Sequence, residues 1–534
     1  MPMTTHEEIE RKYEVDGDSS VPDLSDIATV EPSAKVLLTA DYFDTDSGDL
    51  AAHLIVLRRR VGGDDEGWHI KFPAAVGRTE LHWPLSIGGA ENAHDAPGAP
   101  DAADAHEDAT ADAPVAHEDA PVAVPAEVIA PILALVRVRP LRIIARLRTR
   151  RTALHLIDDS GHRLLELADD RVEASDSATG TVRTWREWET ELLDGAPEST
   201  QARSALLDAV EARLLAAGAR PAVSASKLAT ALGRTSLAPV HRAVSLDRAS
   251  PASEVLLAAV GALVEDIARI DPLVRLDRPD SVHQLRTRVR RLRSLFASYP
   301  RVFDRAVTDP IRDELQHLGV VLGEARDAEV MRDRARSLIA DHDALVPGLD
   351  TRLVDGWARA HTDGHERVLA ELSVPRYLAL LDSLDGFLAR PPLAKDAFVQ
   401  AGIAIPPALA RDLNRVLRSA KSADAAQTEP ERVELLHATR KAAKRLRYAA
   451  EAVSVGDAGV FGRRVRTVAA AAEAIHDLLG EHRDSSLMQE HLRATAGSGK
   501  HTFDYGVLHE VERHGAALCL ADYPRALRDL KRLR

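Results

Sequence analysis

Near its start the chain reads Glu8-Ile9-Glu10-Arg11-Lys12. In an extended strand successive side chains alternate between faces, so residues i and i+2 lie on one side about 7 Å apart. Glu8, Glu10 and Lys12 therefore project together, and Ile9 and Arg11 point the other way. A single stretch of this kind describes many solvated strands. The same arrangement recurs, however. Arg58 and Arg60 share a face, as do Arg148 and Arg150, and Glu187, Glu189 and Glu191 form a third row. Like charges repeated at i and i+2 are mildly unfavourable on a surface, and here they are sorted by sign onto separate strands. Facing rows of carboxylates and guanidinium groups suit the charged lumen of a closed β-structure. Such a lumen calls for a highly charged ligand accompanied by cations: carboxylates hold Mg²⁺ or Mn²⁺, and Arg and Lys clamp phosphate oxygens.

Working outward, eight short alternating or β-branched segments span the N-terminal half: 8–15, 35–44, 53–61, 67–72, 79–85, 143–156, 163–169 and 182–192. Gly, Asp and Pro signals such as Asp46-Ser47-Gly48 separate them, as in antiparallel β-structure. Residues 89–125 interrupt the series with nine acids and no Lys or Arg in an Ala/Asp/Pro context, and we expect a disordered insertion. That tract supplies much of the chain's net charge of −14. Residues 245–534 carry 44 basic and 42 acidic side chains, a net of +2, leaving 25 and 41, or −16, for residues 1–244. The overall acidity is thus a poor guide to partners. A lone cysteine, Cys519, excludes a disulfide framework and Cys-built metal clusters. The N-terminus lacks a signal-peptide pattern, and apolar runs such as Val255–Val264 fall short of the roughly 20 residues that span a bilayer. A soluble, cytoplasmic protein is expected, without a membrane partner.

The ordered blocks resemble the CYTH, or triphosphate tunnel metalloenzyme, superfamily. Glu8–Lys12 matches its ExExK signature, followed by Tyr42-Phe43-Asp44-Thr45, Leu57–Arg60, Trp68–Lys71, Arg78–Glu80, Ala145–Arg150, Glu166–Asp170, Glu187–Glu191 and Ser224–Lys227. The resemblance implies an eight-stranded antiparallel tunnel that binds a linear triphosphate and divalent metal. It implies metal ligation by Glu8, Glu10, Glu187, Glu189 and Glu191. It implies phosphate contacts from Lys12, Arg58, Arg60, Lys71, Lys227 and, among Arg146, Arg148, Arg150 and Arg151, a favoured pair Arg148 and Arg150. It implies a catalytic set of Glu8, Glu10, Lys12 and Lys71.

From Ser253 the apolar period becomes helical, as in Val255, Leu256, Ala259, Leu263 and Ile267, with Pro punctuation near 272, 279, 300, 310, 375, 391 and 430. An internal repeat then appears. His283-x-x-Arg286-x-x-x-Arg290-Arg291-Leu292-Arg293 parallels His437-x-x-Arg440-x-x-x-Lys444-Arg445-Leu446-Arg447, and Leu322-Gly323-Glu324-Ala325-Arg326-Asp327 parallels Leu479-Gly480-Glu481-His482-Arg483-Asp484. Offsets 0, +3, +7 and +10 place His283, Arg286, Arg290 and Arg293 on one helix face, and likewise His437, Arg440, Lys444 and Arg447. Stacked cations of this kind suit a linear polyanion. The pattern resembles the CHAD family, whose two repeated helical bundles bind inorganic polyphosphate, and it carries Arg326 and Arg483 as further contacts. Few aromatics accompany the stripes, which argues against single-stranded nucleic acid.

The expected architecture is multidomain α+β. A tunnel domain spans 1–235, a linker 236–250 and an all-α domain 251–534, the last in repeats of about 251–400 and 401–534. The expected activity is metal-dependent hydrolysis of inorganic triphosphate or a related triphosphate, with polyphosphate bound by the helices. The alternatives are a non-catalytic polyphosphate scaffold and adenylate-cyclase chemistry. Association with polyphosphate granules is a further expectation.

Overall fold

The computed structural model describes residues 3–74, 76–87, 122–224, 226–237, 245–343, 346, 352–456, 458–497 and 502–534. Most of the expected acidic insertion (89–121) and of the expected linker (238–244) lies outside them. The chain divides into two compact units, Met1–His241 and Arg242–Arg534.

The first unit is built on one antiparallel sheet. Its strands are β1 (Thr4–Glu8), β2 (Glu10–Glu14), β3 (Thr29–Pro32), β4 (Val36–Asp44), β5 (Val56–Val61), β6 (Gly67–Pro73), β7 (Arg78–Trp83), β8 (Arg142–Ile157), β9 (Arg163–Asp176), β10 (Val182–Leu192) and β11 (Arg220–Pro221). They follow the order β1-β7-β6-β5-β4-β8-β9-β10-β2-β11, with β3 added to β8. β1 at one end of this order and β2, next to the terminal β11 at the other, are the two halves of one N-terminal stretch, broken at Ile9. Residues 4–8 pair with β7 and residues 10–14 with β10. The first strand thereby closes the sheet, and the eight segments expected from the sequence are its eight staves. The sequence reading missed only β3 and β11.

Alternation then assigns the two faces. Outward-facing Tyr13, Leu156, Leu165, Leu167, Trp188 and Leu192 pack under Leu207, Val210 and Leu214 of α4, one of the five helices α1 (Asp49–Ala52), α2 (Ala126–Ile129), α3 (Leu133–Val136), α4 (Thr200–Ala216) and α5 (Lys227–Ala231). Inward-facing Ala40, Tyr42, Val56, Ala145, Leu147, Val172 and Ala174 meet Leu228, Ala229 and Ala231 of α5. This short helix is an apolar plug in one part of the lumen, and its first residue is Lys227. The Ser226 hydroxyl caps it by accepting from the Ala229 amide.

The second unit is all helical: α6 (Ala252–Arg275), α7 (Ser281–Ser298), α8 (Arg305–Asp341), α9 (Arg352–Ser373), α10 (Pro375–Ala389), α11 (Ala401–Asp424), α12 (Glu429–Glu451), α13 (Arg463–Ala496) and α14 (Thr502–Lys531). Two of the expected helix breaks are absent. Pro272 and Pro310 lie inside α6 and α8, within the last and second turns, where a proline removes a single intrahelical bond. Helices α7 and α12, which carry the repeated basic motifs, pack against each other. Buried Asp412 of α11 joins them, accepting from Ser298 Oγ at 2.6 Å and pairing with Arg445 Nε at 3.1 Å. No described helix is long and apolar enough to cross a membrane.

Candidate functional site

The lumen of the barrel holds a cavity of about 470 Å³ whose polar lining comes from seven strands and α5. Glu8, Glu10 and Lys12 enter from the first strand, Arg58 and Arg60 from β5, and Lys71 from β6. Glu80 comes from β7, Arg151 from β8, Glu166 from β9, and Glu189 and Glu191 from β10. Every one of these side chains is on the inward parity of its strand.

Without a ligand the two signs neutralise each other. Lys227 Nζ lies 2.9 Å from Asp170 Oδ2, 2.8 Å from Glu187 Oε1 and 2.6 Å from Glu189 Oε1. Arg151 forks onto Asp170 through Nε (2.9 Å) and Nη2 (2.8 Å), and reaches Glu189 Oε2 at 2.9 Å and Glu166 Oε1 at 3.2 Å. Lys12 bonds Glu189 and stands 2.9 Å from Glu10, while Lys71 bonds Glu8. Arg58 Nη2 approaches Glu80 Oε1 at 3.3 Å, and Arg60 pairs with Asp65. Burial opposes charge on Glu189, but Lys12, Lys227 and Arg151 outweigh it and hold the carboxyl well below its usual range. Burial likewise opposes charge on Glu80, and Lys71, His69 and Arg58 overcome it. His69 is also lowered, to about 3, by burial and by Arg58, although Glu80 hydrogen-bonds its Nδ1 at 3.0 Å, and it is therefore neutral.

Two places depart from this balance. Glu191 is pushed up to about 7 by burial and by Glu8 and Glu10, and it stands directly opposite Glu10 in the β10–β2 register. Glu8 Oε2 is buried without a hydrogen-bond partner among the described residues. Crowded carboxylates of this kind fit a divalent cation. A second acidic group, Asp170, Glu187 and Glu189, has ligand atoms within 4.8 Å of one another, but the Lys227 ammonium already bonds all three. The corner formed by Glu8, Glu10 and Glu191 is likewise occupied in part by ammonium groups, Lys71 on Glu8 and Lys12 at 2.9 Å from Glu10.

The structure thus brings together Glu8, Glu10, Lys12, Arg58, Arg60, Lys71, Glu187, Glu189, Glu191 and Lys227. It does not bring in Arg148 and Arg150. Both are exposed and line an outer groove with Arg171 and Glu173. Leu147 is buried on the lumen side, so the even-numbered neighbours of β8 must face outward, and the residue that enters is Arg151. The expected register was one step off. Asp170, Glu80 and Glu166 were absent from the expected site set. The signal for Asp170 was present in the Glu166–Asp170 block, where it shares a face with Glu166.

In the helical unit the two repeats place equivalent groups alike. The Arg286 guanidinium lies over Gly323, where a Cβ would come within 3.2 Å of it, and pairs with Asp327 at 3.0 Å. Arg440 lies over Gly480 with the same 3.2 Å clearance, and Asp484 supports its charge. Arg326 sits beside His283, and Arg483 donates to His437 Nδ1 at 3.2 Å. Burial and Arg326 lower His283, and burial with Lys441 and Arg483 lowers His437 to about 4, so both imidazoles are neutral near pH 7. Arg290 is brought down to about 10 by burial, with Arg286 and Arg440 beside it. Three arginines from α7 and α12 are therefore gathered on one face. Lys444 is buried, Arg293 meets Gln316 at 2.7 Å, and Arg447 is held by Glu451 and Glu473, each at 2.7 Å.

Comparison with known proteins agrees with this division. A CYTH domain model matches residues 6–212 and a CHAD domain model residues 258–493. Uncharacterized proteins from two strains of Mycobacterium tuberculosis are 36% identical to the chain over 550 aligned residues, covering 98% of it and 96% of each of them. A CHAD domain from the plant Ricinus communis aligns with 56% of the chain and 98% of its own length, at 24% identity and a TM-score of 0.42. A putative adenylyl cyclase from Hippeastrum, described as having a dominant triphosphatase activity, aligns with 42% of the chain and 96% of its own length, at 16% identity and a TM-score of 0.22.

Proposed function

The chain belongs to the family in which a CYTH domain is followed by a CHAD domain, and on that premise we propose that its barrel hydrolyses inorganic triphosphate with Mg²⁺ or Mn²⁺ while its helical unit binds inorganic polyphosphate. One observation carries the hydrolase reading. The lumen holds Lys12, Arg58, Arg60, Lys71, Arg151 and Lys227 against an almost matching set of buried carboxylates. A triphosphate replaces those carboxylates as the partner of the cations, so its charge is received by groups already in place. Arg58 and Arg60, whose Nε atoms are buried without hydrogen-bond partners among the described residues, are the readiest donors.

Phosphoryl transfer to water depends mainly on positioning and on stabilising charge at the equatorial and leaving oxygens. Arg58, Arg60, Lys71 and Arg151 clamp the chain, and Lys12 and Lys227 cover its other side. Glu8, Glu10 and Glu191 would hold a divalent cation, which would supply further neutralisation of phosphate charge. In the helical unit, Arg286, Arg290 and Arg440, with His283, His437, Arg326 and Arg483 beside them, offer a long phosphate chain a cluster of cations.

Phosphate release should be measured from triphosphate, ATP and thiamine triphosphate side by side, with Mg²⁺, with Mn²⁺ and with a chelator. Release from triphosphate that the chelator abolishes is expected. Equal rates with and without metal, or turnover confined to ATP with a cyclic product, would overturn the reading.

A further inference from the structure

Arg148 and Arg150, displaced from the lumen, belong to a pattern of their own on the outside of the barrel. Arg150 of β8 stands opposite Arg171 of β9, and Arg171 stands opposite Arg186 of β10. Three guanidinium groups thus line up across three adjacent strands, spanning about 10 Å at the usual strand spacing. Like charges directly opposite each other destabilise a sheet. Only part of that repulsion is relieved within the protein. Arg186 is held by Asp169 at 2.8 Å and by the carbonyls of Asp16, Gly17 and Ser19, and Arg171 donates to the Gly17 carbonyl at 3.3 Å. Arg148 and Arg150 have no hydrogen-bond or ion-pair partner among the described residues, even though Glu173 faces Arg148 in the register. These arginines line a groove of about 640 Å³. Glu187 also lines it, and the same carboxylate bonds Lys227 inside the barrel.

We propose that this outer strip, Arg148, Arg150 and Arg171, is a second anion site that takes the extended run of an inorganic phosphate chain longer than triphosphate. The inference rests on reading the lumen as a phosphate site, which it extends to longer substrates. An inorganic chain suits the strip better than a nucleic acid does. The lining holds one aromatic ring, part-buried Trp185, whereas single-strand binding stacks successive bases on several aromatic side chains.

The test is arginine footprinting of the full-length wild-type chain with a dicarbonyl reagent, read residue by residue by mass spectrometry. The added anions are long-chain polyphosphate, triphosphate and an oligodeoxynucleotide of similar charge. At polyphosphate about nine times its Kd, modification of Arg148 and Arg150 should slow about tenfold. Triphosphate should leave both reactive, and so should the oligonucleotide. Arg146, exposed on the same strand and paired with Asp41, should stay reactive throughout. Unchanged reactivity of Arg148 and Arg150 under polyphosphate would overturn the proposal, and so would equal shielding of Arg146. Equal or stronger protection by the oligonucleotide would assign the strip to nucleic acid instead. The footprint reads binding alone, so protection in a chain that releases no phosphate would support the strip while refuting the hydrolase reading.

Discussion

At the residue scale, the site depends on which side chains enter the lumen. Arg151 makes a forked pair with Asp170, 0% exposed, and also touches Glu189 and Glu166. Arg151→Ala should lower kcat/KM for triphosphate by about 10²–10³, the usual effect of removing one charge-stabilising donor. Arg146→Ala on the same strand, facing outward against Asp41, should stay near wild type, and steady-state kinetics of the two variants check this. Glu191 gives a pH prediction. Burial and its neighbours raise its carboxyl to about 7, so near neutrality a proton must leave before a cation can be held fully. Mg²⁺ affinity should therefore rise from pH 6 to pH 8, and Glu191→Gln should flatten that rise; calorimetric titration at several pH values would show it. Alternation alone located Glu8, Glu10, Arg58 and Arg60 from the sequence. It failed on β8 because Arg146, Arg148, Arg150 and Arg151 occupy both parities, and the choice is made by apolar neighbours (Ala145, Leu147) meeting the α5 plug, a contact distant in sequence.

At the element scale, the basic face of the helices depends on small residues opposite the arginines. Gly323 and Gly480 sit within helices, where glycine ordinarily costs about 1 kcal/mol relative to alanine. Their use is to let Arg286 and Arg440 lie flat. Gly480→Ala should leave the melting temperature unchanged or higher while weakening polyphosphate binding, because the new Cβ displaces Arg440. A parallel melt and binding titration separates the two effects. The cross-helix pin behaves differently. Asp412 is 2% exposed and satisfies Arg445 and Ser298, so Asp412→Ala leaves the buried Ser298 hydroxyl and the part-buried Arg445 short of an acceptor and should cost about 1–3 kcal/mol in denaturant unfolding. The repeated His-x-x-Arg and Leu-Gly-Glu blocks were legible because each copy could be checked against the other. Helix ends were less legible, since Pro272 and Pro310 look like breaks in the sequence and are accommodated within turns.

At the scale of the whole molecule, a chain of net charge −14 presents two separate concentrations of cations, one inside a barrel and one across paired helices. Much of the acidity has local work: Glu80, Asp170, Glu187 and Glu189 neutralise the buried cations Arg58 and Lys227. Binding of polyphosphate to the full chain should accordingly weaken steeply with added salt despite the acidic total, because each phosphate contact releases counterions. The fold class could be read from periodicity because the change from a period of two to 3.6 falls between the units. Closure of the sheet through the strand broken at Ile9 could not, because it depends on two pairings separated by most of the unit. If the carboxylates of that strand serve metal-dependent cleavage of triphosphate, the Glu8→Ala/Glu10→Ala double variant should still fold yet lose its Mg²⁺-dependent phosphate release from triphosphate. Full metal-dependent turnover by that variant would show that they do not.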